Sequence, residues 1–184
     1  MTTPTEKSHR VLVIEDDADF GPLLTRRLVE LPANVELVEC VDDAVEKLDQ
    51  NAYDLVVVDI WLPKTRSDLS EKRKLEEKYD ELTEQLMQSK DEAQRRALRE
   101  DMELTIAEAR RKLVRRGGLT ILERMAGRKK SIGEILFLTA IGNDDMQQDA
   151  AVAAESLKCQ LHYLVKPQAP EAIQAKAEEL LRRE

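Results

Sequence analysis

Residues 55–63 read LVVVDIWLP, and in this segment an unbroken apolar run leads directly into the carboxylate of Asp59. A short apolar run of this kind predicts a strand that is buried on both faces, as in parallel sheets. A carboxylate at the end of a buried strand is costly unless another group compensates it or a function requires it. Asp59 is therefore the first candidate functional residue of the chain.

Three further apolar runs lead into polar residues in the same way. Glu15, Asp16 and Asp17 follow residues 11–14, Thr139 follows residues 135–138, and Lys166 follows residues 162–165. In open α/β folds, ligands bind at the edge of the sheet where the carboxyl ends of the strands lie. The sequence therefore predicts a site that combines carboxylates, a hydroxyl and an ammonium group.

Strand-like and helix-like patterns alternate over most of the chain. Pro32 marks the end of one predicted helix and Pro170 the start of another, and Asp42 is the expected N-cap of the second helix. The predicted strands are residues 11–14, 35–40, 55–58, 135–138 and 161–165, and the predicted helices are residues 18–30, 43–50, 119–126, 145–157 and 170–183. This alternation predicts an α/β protein with a five-stranded parallel sheet covered by helices on both faces.

The composition indicates a domain with an aliphatic core. Of the 184 residues, 42% are hydrophobic but only 3% are aromatic, and the formal net charge is −8. The negative charge argues against general nucleic-acid binding. Cys40 and Cys159 are too few for a disulfide scaffold and predict free thiols in a reducing compartment. No apolar segment suits a signal peptide or a membrane span, so we expect a cytoplasmic protein without membrane association.

Residues 64–116 interrupt the alternation of strands and helices. They include 13 acidic and 15 basic residues but neither Gly nor Pro. Apolar residues recur within them at intervals of three and four, which predicts two helices with a short coiled-coil seam. These apolar positions are Leu75, Tyr79, Leu82 and Leu86 in the first half and Leu98, Met102, Ile106, Ala109 and Leu113 in the second half.

The insertion has to leave the sheet after Pro63 and return to it at Gly117. Two antiparallel helices satisfy this requirement, with a turn near residue 90 and arms of roughly 33 Å. Ser89 and Glu92 form a capping-box pattern at that point. A charged, partly disordered loop is the alternative, but disordered segments usually lack such an apolar period.

Glu15, Asp16 and Asp59 should lie close together, because they follow two strands that we expect to be neighbours. Carboxylates within a few ångströms of one another need a cation or a shared proton at neutral pH. A small cluster of hard oxygen ligands suits Mg²⁺, which favours phosphate-bearing partners. Lys166 supplies only one positive charge, so the sequence predicts a Mg²⁺ site. A metal and Lys166 would together hold a phosphoryl group against Asp59, with a hydrogen bond from Thr139.

The order and spacing of these residues resemble the receiver domain of two-component response regulators. The matching stretches are VLVIEDD at residues 11–17, YDLVVVDIWLP at residues 53–63, LTA at residues 138–140 and YLVKP at residues 163–167. The resemblance covers the chain apart from its N-terminal tail and the insertion. It implies a flavodoxin-like, doubly wound sheet with the strand order 2-1-3-4-5. The antiparallel helical hairpin predicted above is an insertion into this fold after strand 3.

The resemblance also implies a role for each residue at the sheet edge. Asp59 would accept a phosphoryl group from a phosphohistidine on a histidine kinase or phosphotransfer protein, or from a small phosphodonor. Glu15 and Asp16 would bind Mg²⁺ together with Asp59, and the backbone carbonyl of Trp61 would be a further ligand. Lys166 would contact the phosphoryl group.

A switch pair, Thr139 and Tyr163, is implied as well. The Thr139 hydroxyl would move to the phosphoryl group while the Tyr163 ring turns inward.

The chain departs from the family pattern in its connections and beside the phosphorylation site. The family has a short loop where residues 64–116 stand, and its segment corresponding to residues 142–160 is shorter. Trp61 and Ile141 lie two residues after Asp59 and Thr139, at positions that tune hydrolysis in the family, and both are bulky and apolar here. We therefore expect Trp61 and Ile141 to shield the acyl phosphate from water and lengthen its life.

These expectations describe a stand-alone receiver that signals through protein contacts. Its parts are a disordered tail at residues 1–9, a receiver domain at residues 10–63 and 117–184, and a coiled-coil hairpin at residues 64–116. The hairpin would form a homodimer or a partner contact. The alternative is a degenerate receiver that serves as a phosphorylation-independent coiled-coil adaptor. An aspartyl phosphatase would need a second Asp where this chain has Trp61, so we expect a signalling domain rather than an enzyme.

Overall fold

The computed structural model describes residues 8–114, 116–128, 132–139, 144–166 and 168–182. Residues 1–7 of the predicted tail lie outside this description. The strands are β1 (His9–Ile14), β2 (Ala33–Val38), β3 (Leu55–Asp59), β4 (Leu62–Pro63), β5 (Leu113–Val114), β6 (Glu134–Thr139) and β7 (Gln160–Val165). The helices are α1 (Phe20–Leu28), α2 (Val41–Gln50), α3 (Arg66–Gln88), α4 (Glu92–Arg111), α5 (Gly117–Gly127), α6 (Asp144–Leu157) and α7 (Pro170–Leu181). Within the described residues, none of these helices has the length and apolar character needed to cross a membrane.

The larger sheet is parallel throughout and has the order β2-β1-β3-β6-β7. Since β6 and β7 are its fourth and fifth strands along the chain, this order is the predicted 2-1-3-4-5. The register sets Ile14 beside Val58 and Asp59 beside Leu138. The carboxyl ends of β1, β3 and β6 therefore lie next to one another at one edge of the sheet.

Successive strand side chains point to opposite faces of the sheet, and each face has its own buried apolar cluster. Val11 and Val13 belong to the cluster that includes residues of α1 and α7. Leu12 and Ile14 belong to the cluster that includes residues of α2, α5 and α6. The two clusters confirm the predicted doubly wound α/β architecture.

Helix α2 begins earlier than its sequence pattern indicates. It starts at Val41 with Cys40 as the N-cap residue, so the predicted N-cap role of Asp42 is wrong. The Asp42 N–H donates to the carbonyl of Lys64 at 3.0 Å, and its carboxylate accepts from Arg124 at 2.8 Å. Tertiary partners that are distant in the sequence therefore take the place of a local cap.

The insertion forms the predicted hairpin of two antiparallel helices, α3 and α4. An ion pair joins Glu71 near the start of α3 to Lys112, which follows α4. The turn occupies residues 89–91, where it was predicted. The predicted capping box is wrong, because Asp91 rather than Ser89 is the N-cap of α4. The Asp91 carboxylate accepts hydrogen bonds from the N–H groups of Ala93 and Gln94 in the first turn of α4, whereas Ser89 is the C-cap of α3.

The start of α3 is fixed more firmly than the sequence indicated. Thr65 and Asp68 form a capping box, in which each side chain accepts a hydrogen bond from the backbone N–H of the other residue. The root of the hairpin is closed by the antiparallel pair of β4 and β5. These features set the direction in which α3 leaves the sheet.

The seam between α3 and α4 is only partly buried. Leu82 and Leu98 are buried, and the other predicted seam residues are half-buried. Lys72 and Thr105 are buried polar residues of the hairpin. The hairpin therefore has one narrow apolar face, and most of its surface is charged and exposed.

Candidate functional site

Asp59 ends β3 at the carboxyl edge of the sheet, and backbone donors hold its side chain. The N–H of Ile60 donates to Asp59 Oδ1 at 2.6 Å, and the N–H of Trp61 approaches the same oxygen at 3.4 Å. The chain bends directly after the strand, which turns these two N–H groups back toward the carboxylate. The local backbone thus orients Asp59 and leaves its second oxygen, Oδ2, for other partners.

Glu15 and Asp16 follow β1 and meet Asp59 from the neighbouring strand. One carboxylate oxygen from each of the three residues lies within 4.8 Å of the others. Glu15 is 1% exposed, Asp16 5% and Asp59 8%. We call these three residues the acidic cluster. The structure brings together the three carboxylates that the sequence predicted would meet.

Lys166 reaches the acidic cluster from β7, across the intervening strand β6. Its Nζ atom donates to Glu15 Oε2 and to Asp59 Oδ2, both at 2.8 Å. The ammonium also lies 5.3 Å from the centre of the Phe20 ring. A single lysine therefore bridges the two carboxylates that come from different strands.

The start of α5 packs against the backbone of Asp59. A Cβ atom at Gly118 would lie 2.7 Å from the carbonyl oxygen of Asp59 and 2.8 Å from Cε1 of Phe137. Only glycine leaves room for this approach. Gly117 marks the predicted return of the chain to the sheet, but the proximity of Gly118 to the site depends on how α5 packs on the sheet.

Lys72 of the insertion is a member of the site that sequence reasoning missed. Its Nζ atom lies 2.9 Å from Asp16 Oδ2 and 2.7 Å from Glu76 Oε1. A weak signal was available, because Lys72 stands three residues before Leu75 and so continues the spacing of the seam toward the root. A lysine at a seam position of a helix is a candidate for a buried charge.

Burial and neighbouring charges shift the pKa values of the ionisable groups in the site. Burial and then the charge of Asp59 raise the pKa of Glu15 to about 7, although Lys166 opposes the rise. Burial also raises the pKa of Asp16, against the opposing effect of Lys72. Burial lowers the pKa of Lys166, but the charges of Asp59 and Glu15 outweigh it and raise that pKa overall.

The donor set of the acidic cluster fits a hard divalent cation such as Mg²⁺. Three carboxylates face two ammonium groups, so negative charge is in excess when all three are ionised. Asp16 Oδ2 is a buried carboxylate oxygen that accepts no hydrogen bond within the described part of the chain. An oxygen of this kind can become a metal ligand, although the Lys72 ammonium lies 2.9 Å from it.

The remaining predicted site residues are Trp61, Tyr163 and Thr139, with Ile141 as a further predicted neighbour of the phosphoryl group. Trp61 is partly exposed beside Asp59. The Tyr163 ring is half-buried and stacks on Phe137 with a centroid distance of 5.8 Å. Thr139 ends β6 beside this group, but its side chain and the whole of Ile141 lie outside the described part of the structure.

No protein-family model matches the sequence, and no curated protein matches it. Solved structures nevertheless share its fold. A Francisella response regulator receiver domain is similar at a TM-score of 0.58 and 13% identity, over 96% of this chain and 98% of that chain. A two-component response regulator from Clostridium difficile is similar at a TM-score of 0.55 and 19% identity, over 96% and 98% of the two chains.

A third similar structure comes from Methanospirillum hungatei. This response regulator receiver domain protein has a TM-score of 0.56 and 14% identity, over 96% of this chain and 95% of that chain. The three likenesses agree with the strand order and with the resemblance seen in the sequence motifs. The chain therefore has the fold of response regulator receiver domains.

Proposed function

We propose that the protein is a signalling receiver that accepts a phosphoryl group on Asp59 from a phosphohistidine of a histidine kinase or phosphotransfer protein. The observation that carries the proposal is the setting of Asp59 at the sheet edge. Two backbone N–H groups orient one of its oxygens, and Lys166 contacts the other at 2.8 Å. The adjoining carboxylates of Glu15 and Asp16 supply the donors for Mg²⁺.

The proposed reaction is an in-line transfer in which the protein positions the groups and stabilises charge. A carboxylate oxygen of Asp59 attacks phosphorus while the bond between phosphorus and the donor's imidazole nitrogen breaks, and the imidazole leaves with that electron pair. Lys166 stabilises the negative charge on the phosphoryl oxygens. Glu15, Asp16, Asp59 and the Trp61 carbonyl would hold Mg²⁺, which supplies further positive charge when it is bound.

We propose Thr139 and Tyr163 as the pair that reports the phosphoryl group to the surface. The stacking of Tyr163 on Phe137 gives its ring a defined packed position against the β6 strand. In the proposed switch, the Thr139 hydroxyl moves to the phosphoryl group and the Tyr163 ring turns inward.

Trp61 is the proposed shield of the acyl phosphate. Its side chain is large and partly exposed, and Trp61 lies two residues after Asp59. Replacing it with alanine should admit water and shorten the half-life of the phosphorylated protein. An unchanged half-life in Trp61→Ala would contradict this role.

Phosphorylation is tested by intact-mass measurement after incubation with acetyl phosphate and Mg²⁺. We expect wild type to gain the mass of one phosphoryl group and Asp59→Asn to gain none. Asp101→Asn is the matched control, because Asp101 is an exposed residue of α4 and its loss should leave the gain unchanged. A gain in Asp59→Asn would overturn the assignment of Asp59.

The hairpin is the proposed contact surface for a second copy or another partner. Met87 is 80% exposed and Leu104 69% exposed, which leaves large apolar side chains on α3 and α4 for such a contact. Light scattering should report fewer subunits per particle than in wild type when residues 66–111 are replaced by a short Gly linker. An unchanged number of subunits and unchanged partner binding would remove the hairpin from this role.

A phosphorylation-independent adaptor is the second candidate function. It is favoured by Lys72, because an ammonium from the insertion already contacts Asp16 in the acidic cluster. No mass gain in wild type under the conditions above would support the adaptor.

A further inference from the structure

Lys72 brings a side chain of the insertion into the acidic cluster. Its side chain is only 11% exposed, although it belongs to a helix whose surface is mostly charged and solvated. Lysine is almost never this buried unless its charge is paired. Its partners are Asp16 in the cluster and Glu76 one turn further along α3. The contact with Asp16 therefore joins α3 directly to the proposed metal site.

The contact between Lys72 and Asp16 is a pairing of charges without a well-aligned hydrogen bond. Lys72 Nζ lies 2.9 Å from Asp16 Oδ2, but within the described residues this oxygen accepts no hydrogen bond of good geometry. A metal that approaches Asp16 would therefore replace a charge contact and would break no aligned hydrogen bond at that oxygen.

Lys72 keeps a second ion-pair partner, Glu76, if its contact with Asp16 is lost. Glu76 contacts its ammonium at 2.7 Å and is half exposed. Both residues line a groove of about 260 Å³ between α3 and α4, together with Tyr79 and Ile106. The lysine can turn toward this groove and keep one ion pair, so its departure from the cluster does not leave a buried charge unpaired.

Two other ion pairs hold the same end of α3 against the sheet edge. Arg66 pairs with Asp43, and Arg73 pairs with Glu39. Each of these four side chains is at least a quarter exposed, and exposed ion pairs contribute little to stability. Of these three ion pairs, the one between Lys72 and Asp16 is the most buried, and it alone involves the acidic cluster.

We infer that Lys72 is an intramolecular competitor for the divalent cation, so that metal binding to the acidic cluster displaces Lys72 from Asp16 and loosens the base of α3. This inference rests on the metal-binding part of the proposed function. An ammonium beside the cluster repels a second cation and occupies an oxygen that the cation uses. The coupling is reciprocal, so docking of α3 weakens metal binding and metal binding weakens docking.

Calorimetric titration with Mg²⁺ tests the inference without any phosphoryl transfer. Lys72→Met removes the competing charge and should tighten Mg²⁺ binding about tenfold relative to wild type. Lys78→Met is the matched control, because Lys78 is an exposed lysine of the same helix and its loss changes the net charge equally. Lys78→Met should bind Mg²⁺ as wild type does.

A second neutral variant guards against loss of folding. Lys72→Gln keeps a polar side chain in the groove, and it should tighten binding in the same direction. Circular dichroism confirms that each variant is folded before titration. Equal or weaker Mg²⁺ binding in the folded neutral variants would overturn the inference, as would the absence of Mg²⁺ binding in all proteins.

The outcomes separate this inference from the proposed function. Tighter Mg²⁺ binding in Lys72→Met without phosphorylation of Asp59 would keep the inference and remove the phosphoacceptor role. Phosphorylation of Asp59 with identical Mg²⁺ affinities would keep the role and remove the inference.

Discussion

Apolar burial stabilises the sheet domain, whereas ion pairs contribute more to the position of the inserted hairpin. The sheet buries continuous aliphatic clusters on both faces, whereas the described hairpin residues bury few apolar side chains, among them Leu69, Leu82 and Leu98. Ion pairs of Arg66 and Lys72 join the start of α3 to the sheet domain. Apolar burial is insensitive to nearby charge, but ion pairs are not. The position of α3 should therefore respond to charge at the acidic cluster, while the sheet should not.

The largest expected effect is a difference in how much a core truncation destabilises the sheet domain and the hairpin. Phe137→Ala removes a fully buried ring from the sheet core and should lower the free energy of unfolding by about 3–5 kcal/mol. Leu98→Ala, in the narrow seam of the hairpin, should cost about 2 kcal/mol or less. Urea unfolding followed by circular dichroism measures both. Equal losses would mean that the hairpin is as much a part of the core as the sheet.

The next effect concerns the charge of the acidic cluster in the metal-free protein. Because the pKa of Glu15 is raised to about 7 in the folded state from an ordinary value of 4.5, the folded protein binds this proton more tightly than the unfolded chain does. The stabilising contribution is complete below pH 4.5 and is lost as pH rises through about 7, with a total of roughly 3 kcal/mol.

Glu15→Gln tests this pH dependence. With a chelator present, the stability of wild type relative to Glu15→Gln should fall between pH 4.5 and 8. Chemical unfolding at a series of pH values measures the difference. A constant difference across this range would show that the folded state does not raise the pKa of Glu15.

A smaller effect is expected where α5 meets the phosphorylation strand. Gly118→Ala places a methyl group against the backbone of Asp59 and the Phe137 ring and should cost about 1–3 kcal/mol. Gly21→Ala in α1 is the matched control, because its Cβ would meet its nearest neighbours at 3.4 Å, an ordinary contact. Thermal unfolding should show a clear loss for the first variant and little change or a small gain for the second. Similar behaviour of the two variants would contradict the close approach at Gly118.

The sheet and its acidic edge were predictable because their signals are local in the sequence. Each apolar run, such as the one before Asp59, is followed directly by a polar residue. Parallel pairing of the strands brings these polar residues to one edge of the sheet. The α2 cap at Asp42 and the α4 cap at Ser89 were predicted wrongly. Asp42 is bound by a residue distant in the sequence, Arg124, and does not cap α2. The N-cap of α4 is Asp91, which lies two positions after Ser89.

Lys72 could not be assigned from the sequence for a different reason. Its seam position indicates that it faces inward, but its contact with Asp16 depends on the direction in which α3 leaves the sheet. That direction is set by the Thr65–Asp68 capping box and by β4 and β5, which have two residues each and are too short to show a period. Docking of an insertion is a tertiary property, and no local pattern encodes it.

Amide hydrogen exchange tests most directly whether the hairpin responds to the state of the acidic cluster. At saturating Mg²⁺, residues 66–76 of wild type should exchange faster than in metal-free protein, because the Lys72 contact is lost. Residues 92–100 of α4, far from the root, should be unaffected, and Lys72→Met should show little Mg²⁺-dependent change in residues 66–76. Exchange of residues 66–76 in wild type that stays the same or slows at saturating Mg²⁺ would contradict the account.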